Sequence, residues 1–122
     1  MSHTIVSYTV KPGREQENAA LVRGVFEQLA KAQPAGMRYA VFQSADSREF
    51  VHLYADEGAA PGTMQALSAF QAFLDGAADR HEHAVTFREF ELIGAYRTFD
   101  DPDRLASAGE TGDAETDAGA AP

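Results

Sequence analysis

Every extended run in this chain carries apolar side chains on both of its faces, and that limits the folds open to it more than any other feature. From Thr4 to Val10 the set Val6, Tyr8 and Val10 alternates with Ile5, Ser7 and Thr9. Between Met37 and Ser44, Ala40 and Phe42 stand opposite Tyr39 and Val41; between Glu49 and Ala55, Val51 and Leu53 stand opposite His52 and Tyr54. A sheet of such strands needs a cover on each side. Two amphipathic segments can supply one cover. Ala19, Val22, Phe26 and Leu29 recur at spacings of three and four, with Val25 widening the stripe, and Phe70, Phe73, Leu74 and Ala77 form a second apolar face. Both helices fall on one side, so the simplest cover for the other is the sheet of a second copy, which predicts a homodimer.

The order of the segments is β-α-β-β-α-β, an α+β class with a ferredoxin-like antiparallel sheet and its helices on one face. Lys11-Pro12-Gly13 breaks the first strand, and Glu15 and Glu17 against Lys31 orient a helix that Pro34-Ala35-Gly36 stops. Asn18 and its polar neighbours are read as the solvated side of that helix. The four residues 45–48 suit a hairpin, and Asp56 to Thr63 reads as a loop. Ser68 with Gln71 reads as a capping box for the second helix, on which Asp75, Asp79 and Arg80 point outward. Gly76 is expected to weaken this helix without ending it. Val85 to Tyr96 is long for one strand, so Gly94 marks either a bulge or the start of a separate extended segment.

Aromatic residues vanish beyond Phe99. Residues 1–99 are therefore read as the domain and residues 100–122 as a disordered acidic tail, too poor in apolar area to offset the entropy of ordering. The tail holds seven acids against Arg104, which leaves −3 of the formal −9 for the body. So small a charge argues against nucleic acid as a partner. Removing the chain from Asp100 onward is expected to leave the thermal unfolding midpoint nearly unchanged; a loss of several degrees in a melting curve would show a docked tail. No run approaches the roughly 18 apolar residues of a membrane span, and Met1-Ser2-His3-Thr4 lacks the character of a secretory signal, so the expectation is a cytoplasmic protein with no membrane partner. With no cysteine, thiolate chemistry and disulfides are excluded.

Four stretches carry a family resemblance: Tyr8-Thr9-Val10-Lys11-Pro12-Gly13, Gly36-Met37-Arg38-Tyr39, Phe50-Val51-His52-Leu53-Tyr54 and Ser68-Ala69-Phe70-Gln71-Ala72-Phe73. Over residues 3–98 the chain resembles the antibiotic biosynthesis monooxygenase-like family of dimeric α+β barrels. That resemblance implies a dimeric barrel and, for function, cofactor-independent oxygenation of an aromatic or polyketide-like molecule; the family also contains haem-degrading enzymes. Asp56 stands where many relatives carry tryptophan, and Gln65 and Ala66 where histidine is common. A non-catalytic binding or accessory role therefore stays open beside the enzymatic one.

The candidate ligand-pocket residues are Tyr8, Tyr39, His52, Tyr54, Phe26, Phe70 and Phe73. Strand alternation puts the three phenols and the imidazole in one layer with the helix-borne phenylalanines, and such a layer is too polar for a plain core unless its hydroxyls find partners. A cavity of a few hundred Å³ opening near Asp56 to Thr63 is expected there. His52 is either a satisfied core histidine or an acid/base, and no catalytic residue is assigned. His81 and His83 flank Glu82, but they complete no ligand set and read as a polar helix end. Neither His81 nor His52 sits in a haem motif, and no metal or other cofactor is expected.

Overall fold

The computed structural model describes residues 2–58 and 62–98. The proposed acidic tail falls outside them. Seven elements run in the order β1 Ser2–Thr9, α1 Glu15–Ala32, β2 Met37–Gln43, β3 Glu49–Asp56, α2 Ser68–Asp75, α3 Ala77–Arg80 and β4 Thr86–Glu91. The strands form one sheet in the order β2-β3-β1-β4 with every pairing antiparallel. This is the expected ferredoxin-like α+β fold.

Register decides which side chains share a face. Thr4, Val6 and Tyr8 lie beside Tyr54, His52 and Phe50, and Tyr39 and Val41 lie beside Tyr54 and His52. This layer meets the helices. Tyr8, Val10 and Phe50 pack with Ala19, Val22, Val25 and Phe73 in the core, and Phe26, Tyr39 and Phe70 close around it. The opposite layer holds Ile5, Ala40, Phe42, Val51, Leu53 and Phe90, in the register that alternation requires. Phe42 and Phe90 on that side stay exposed, as do Leu92, Ile93 and Tyr96 beyond β4.

Local chemistry explains the joints. In Lys11-Pro12-Gly13 the glycine adopts φ 83° and the Arg14 amide donates to the Lys11 carbonyl at 3.0 Å, a turn for which proline followed by glycine is preset. Helix α1 ends where Gln33 takes a left-handed conformation and its amide donates to the Leu29 carbonyl.

Two expectations need correction. Ser68 does not cap α2; Leu67 stands at the N-cap, and Gln28 of α1 serves the helix start instead, its Oε1 accepting from the Ala69 amide and its Nε2 donating to the Ser68 hydroxyl. A helix already packed alongside can satisfy the free amides of a helix start as well as a local serine can. Gly76 does end α2, at φ −105° and ψ 10°, and α3 starts anew after it. The fourth strand ends at Glu91, opposite Ser2 of β1, so the run from Val85 to Tyr96 is not one strand, as its length suggested, and Gly94 lies beyond the strand.

Candidate functional site

The break at Gly76 builds the site. It turns Arg80 back beneath α2, where the guanidinium lies 4.9 Å from the centre of the Phe73 ring and one of its terminal nitrogens donates to the Phe73 carbonyl at 2.9 Å. A Cβ at Gly76 would stand only 3.1 Å from the other terminal nitrogen, so glycine leaves the room the turn needs. Arg80 is therefore 1% exposed, not outward-pointing as the helical reading had it. Asn18 is corrected likewise: it is fully buried, and its Oδ1 accepts from Arg80 Nε at 2.9 Å.

From Asn18 a line of polar groups crosses the core. Asn18 Nδ2 donates to the Tyr8 hydroxyl at 2.9 Å; that hydroxyl lies 2.7 Å from His52 Nε2, and His52 Nδ1 lies 2.7 Å from the Tyr39 hydroxyl. Five elements thus contribute to one relay, Arg80–Asn18–Tyr8–His52–Tyr39. Burial pushes the Tyr8 phenol up to about 12, against the pull of the Asn18 bond and the Arg80 charge, and it pushes Tyr39 up as well. Burial pushes His52 down to about 4, with His81 adding to the effect. At neutral pH the relay therefore holds neutral phenols and a neutral imidazole. Its one cation is Arg80, whose two hydrogen bonds both go to uncharged carbonyl oxygens.

The Tyr8, His52 and Tyr39 end of the relay lines a cavity of about 280 Å³ between sheet and helices, with Asn18 and Arg80 behind it. Tyr8, Tyr39, His52, Tyr54, Phe70 and Phe73 all line it, together with Val6, Met64, Leu74 and Phe87. Phe26, the seventh sequence candidate, is not on its lining; it stacks behind Tyr39 with ring centres 5.0 Å apart. Met64 and Gln65, directly after the loop expected to flank the opening, are on the wall, while residues 59–61 of that loop lie outside the described residues. The Tyr54 hydroxyl is engaged by Asp56 at 3.2 Å.

His81 also faces this cavity. The chain leaves α3 in an extended conformation, and the Lys11 amide to the Arg80 carbonyl and the Glu82 amide to the Thr9 carbonyl zip it to the end of β1. The His81 ring is thereby stacked on Tyr8 with centres 4.0 Å apart, while His83 stays exposed. Its Nε2 is buried without a hydrogen-bond partner, and burial followed by the Arg80 charge lowers its pKa. His81 does stand at a helix end, as the C-cap of α3 with its amide donating to the Ala77 carbonyl at 2.9 Å, but its ring is buried against Tyr8, which corrects the solvated part of that reading. Among the described residues, no group of three or more His, Asp or Glu is placed to hold a metal ion, and no helix is long and apolar enough to cross a membrane.

A larger hollow, of about 420 Å³, lies on the other side of the sheet beside Ile5, Ala40, Leu53 and Phe90. It sits on the open apolar face and touches neither His52 nor His81. The smaller cavity is the better candidate because the buried polar groups converge on it.

No family model matches the sequence, and no curated protein matches it. Solved structures do share the fold. A Nitrosomonas europaea protein proposed to be an antibiotic biosynthesis monooxygenase superposes with a TM-score of 0.62 at 20% identity, covering 77% of this chain and 100% of its own. A Pseudomonas aeruginosa protein gives 0.61 at 21% identity over 76% of this chain and 94% of its own. A second Nitrosomonas europaea protein, of unknown function, gives 0.57 at 23% identity over 80% and 93%. The fold is thus that of antibiotic biosynthesis monooxygenase-like structures, and these likenesses carry the architecture, not the chemistry.

Proposed function

We propose that the chain is a homodimeric small-molecule-binding protein whose cavity takes an aromatic or polyketide-like molecule. One observation carries this reading: a continuous relay of buried polar groups reaches, through Tyr8, His52 and Tyr39, the wall of a largely aromatic and aliphatic cavity. A core under selection for packing alone has little use for two phenols, two imidazoles, an amide and a guanidinium, each costly to bury. Flat aromatic walls with a few placed polar groups suit a flat ligand bearing oxygen.

The reaction such a cavity can support is cofactor-independent oxygenation. A ligand methylene acidified by a neighbouring carbonyl loses a proton, and its carbanion reduces dioxygen; the CH2 group and O2 become C=O and H2O. The protein excludes water and supplies neutral hydrogen-bonding groups near the nascent oxyanion. His52 favours the second reading, a binding or accessory protein without turnover, since both of its nitrogens are engaged by phenols and its basicity is low.

Calorimetric titration with aromatic ketones carrying such a methylene, with a dioxygen electrode alongside, tests both readings. Saturable binding that is lost on Ala77→Phe, which fills the cavity wall, supports the site. Dioxygen uptake above the spontaneous rate then makes it an oxygenase, and its absence an accessory protein. No saturable binding would remove the proposal. The same reading places a second copy over Ile5, Ala40, Phe42, Val51, Leu53 and Phe90. Sedimentation at micromolar concentration is expected to give twice the chain mass, and Phe42→Asp, which puts a charge in that face, is expected to shift it to monomer. A wild-type monomer would exclude the dimer.

A further inference from the structure

The relay has a direction, and its direction selects the ligand. Arg80 can only donate, so its bond from Nε identifies the Asn18 atom it meets as the carbonyl oxygen and leaves the Asn18 NH2 facing Tyr8. The Tyr8 oxygen therefore accepts from Asn18 and has its own proton to place. His52 Nε2, at 2.7 Å, is the acceptor it meets. A neutral imidazole that accepts at Nε2 carries its proton on Nδ1, and Nδ1 faces the Tyr39 hydroxyl at 2.7 Å. Tyr39 thus receives a hydrogen bond from His52, and its own proton is left over. Of the three phenols on the cavity, Tyr8 spends its proton on His52 and Tyr54 spends its on Asp56.

We infer that Tyr39 is the specificity-determining donor of the cavity, presenting its O–H to a carbonyl or other acceptor oxygen of the ligand, and that Asn18 and Arg80 are positioning residues that set this polarity from the far end of the relay. The assignment rests on the cavity being a ligand site. It selects aromatic ketones or quinone-like molecules over hydrocarbons and over ligands that can only donate. A donor held by a chain of aligned hydrogen bonds is also stronger than an isolated phenol, because each bond polarises the next.

Two measurements test it. Long-range proton–nitrogen spectra of protein labelled with nitrogen-15 histidine read the His52 tautomer with no ligand present. The Nδ1-protonated form is expected, and the Nε2-protonated form would overturn the polarity. Asn18→Asp supplies the control: a carboxylate at that position still accepts from Arg80 but now also accepts the Tyr8 proton, so His52 must donate from Nε2 and accept the Tyr39 proton at Nδ1. The tautomer is expected to invert in this variant, and a merely structural role for Asn18 would leave it unchanged. The second measurement compares a methyl naphthyl ketone with isopropenylnaphthalene, a hydrocarbon of the same shape. The ketone is expected to bind about tenfold tighter to the wild type, one buried hydrogen bond's worth. Tyr39→Phe and Asn18→Asp are both expected to erase that preference while leaving hydrocarbon affinity within about twofold. If both probes bind the wild type equally, the cavity stands and the assignment falls. If neither binds, the reading of the cavity as a site for such molecules falls and the assignment falls with it.

Discussion

Asn18→Ala is expected to lower the free energy of unfolding by about 3 kcal/mol, a large part of a small domain's total. Asn18 is fully buried and joins Arg80 to Tyr8 by a hydrogen bond to each. Alanine leaves the guanidinium Nε–H facing a void and removes the donor to the Tyr8 oxygen. An unsatisfied buried donor costs about 1–3 kcal/mol, more when it is charged, and the missing amide leaves a small cavity as well. For a domain of this size the melting midpoint should fall on the order of 15 °C. Urea unfolding at neutral pH measures the loss, with an unchanged denaturant slope showing that the native and unfolded states otherwise persist. Asn18→Asp should recover most of the stability, since its carboxylate accepts from Arg80 and gives that buried cation a counter-charge. If alanine costs less than about 1 kcal/mol, water has replaced the amide and the relay is not a dry network.

The strands and the sides they present were legible because a period of two leaves little freedom: once Tyr8 was placed with Val6, register carried His52, Tyr54 and Tyr39 to the same layer. The polar end of the site was not read correctly, although the signal was there. Asn18 precedes Val22 and Val25 by four and seven residues, so it lies on the buried stripe of its helix, whereas Arg80 reaches the core only through the break at Gly76. Treating polar residues as solvated by type, rather than by position on the stripe, sent Asn18 outward. A polar side chain at an apolar spacing is the pattern to look for, because burial of that kind is tolerated only with partners. His81 was illegible for another reason. Its inward turn depends on the pairing of residues 80–82 with the end of β1, a contact between segments about seventy positions apart that no local periodicity encodes. The Gly76 break belongs to the same class, since the crowding it relieves comes from the Arg80 guanidinium folding back.

Mild acid should unfold this protein more readily than its surface carboxylates would require. The folded His52 pKa is pushed down to about 4 from an ordinary value of 6.5, with burial the main cause. Between those two values the unfolded chain binds a proton that the folded one refuses, so stability rises with pH across that window. The contribution of His52 is complete above 6.5 and is lost as pH falls through 4. A difference of this size corresponds to about 3 kcal/mol. His81, whose pKa burial also lowers, acts in the same direction. Glu17 and Glu89, held below the ordinary 4.5 by hydrogen bonds from Arg14 and from Ser2 and Thr4, add their own losses only at lower pH. A slope between the two His52 values is therefore a histidine signature. Urea midpoints measured across the window are expected to fall steadily on acidification in the wild type. In His52→Gln, which keeps hydrogen-bonding ends toward both phenols but cannot titrate, that fall should shrink by more than half. An unchanged slope in the variant would mean that the imidazole is protonated as readily folded as unfolded. Water would then reach the relay, and the cavity wall would be a wet polar surface instead of the low-dielectric one from which a phenol can direct its proton at a ligand.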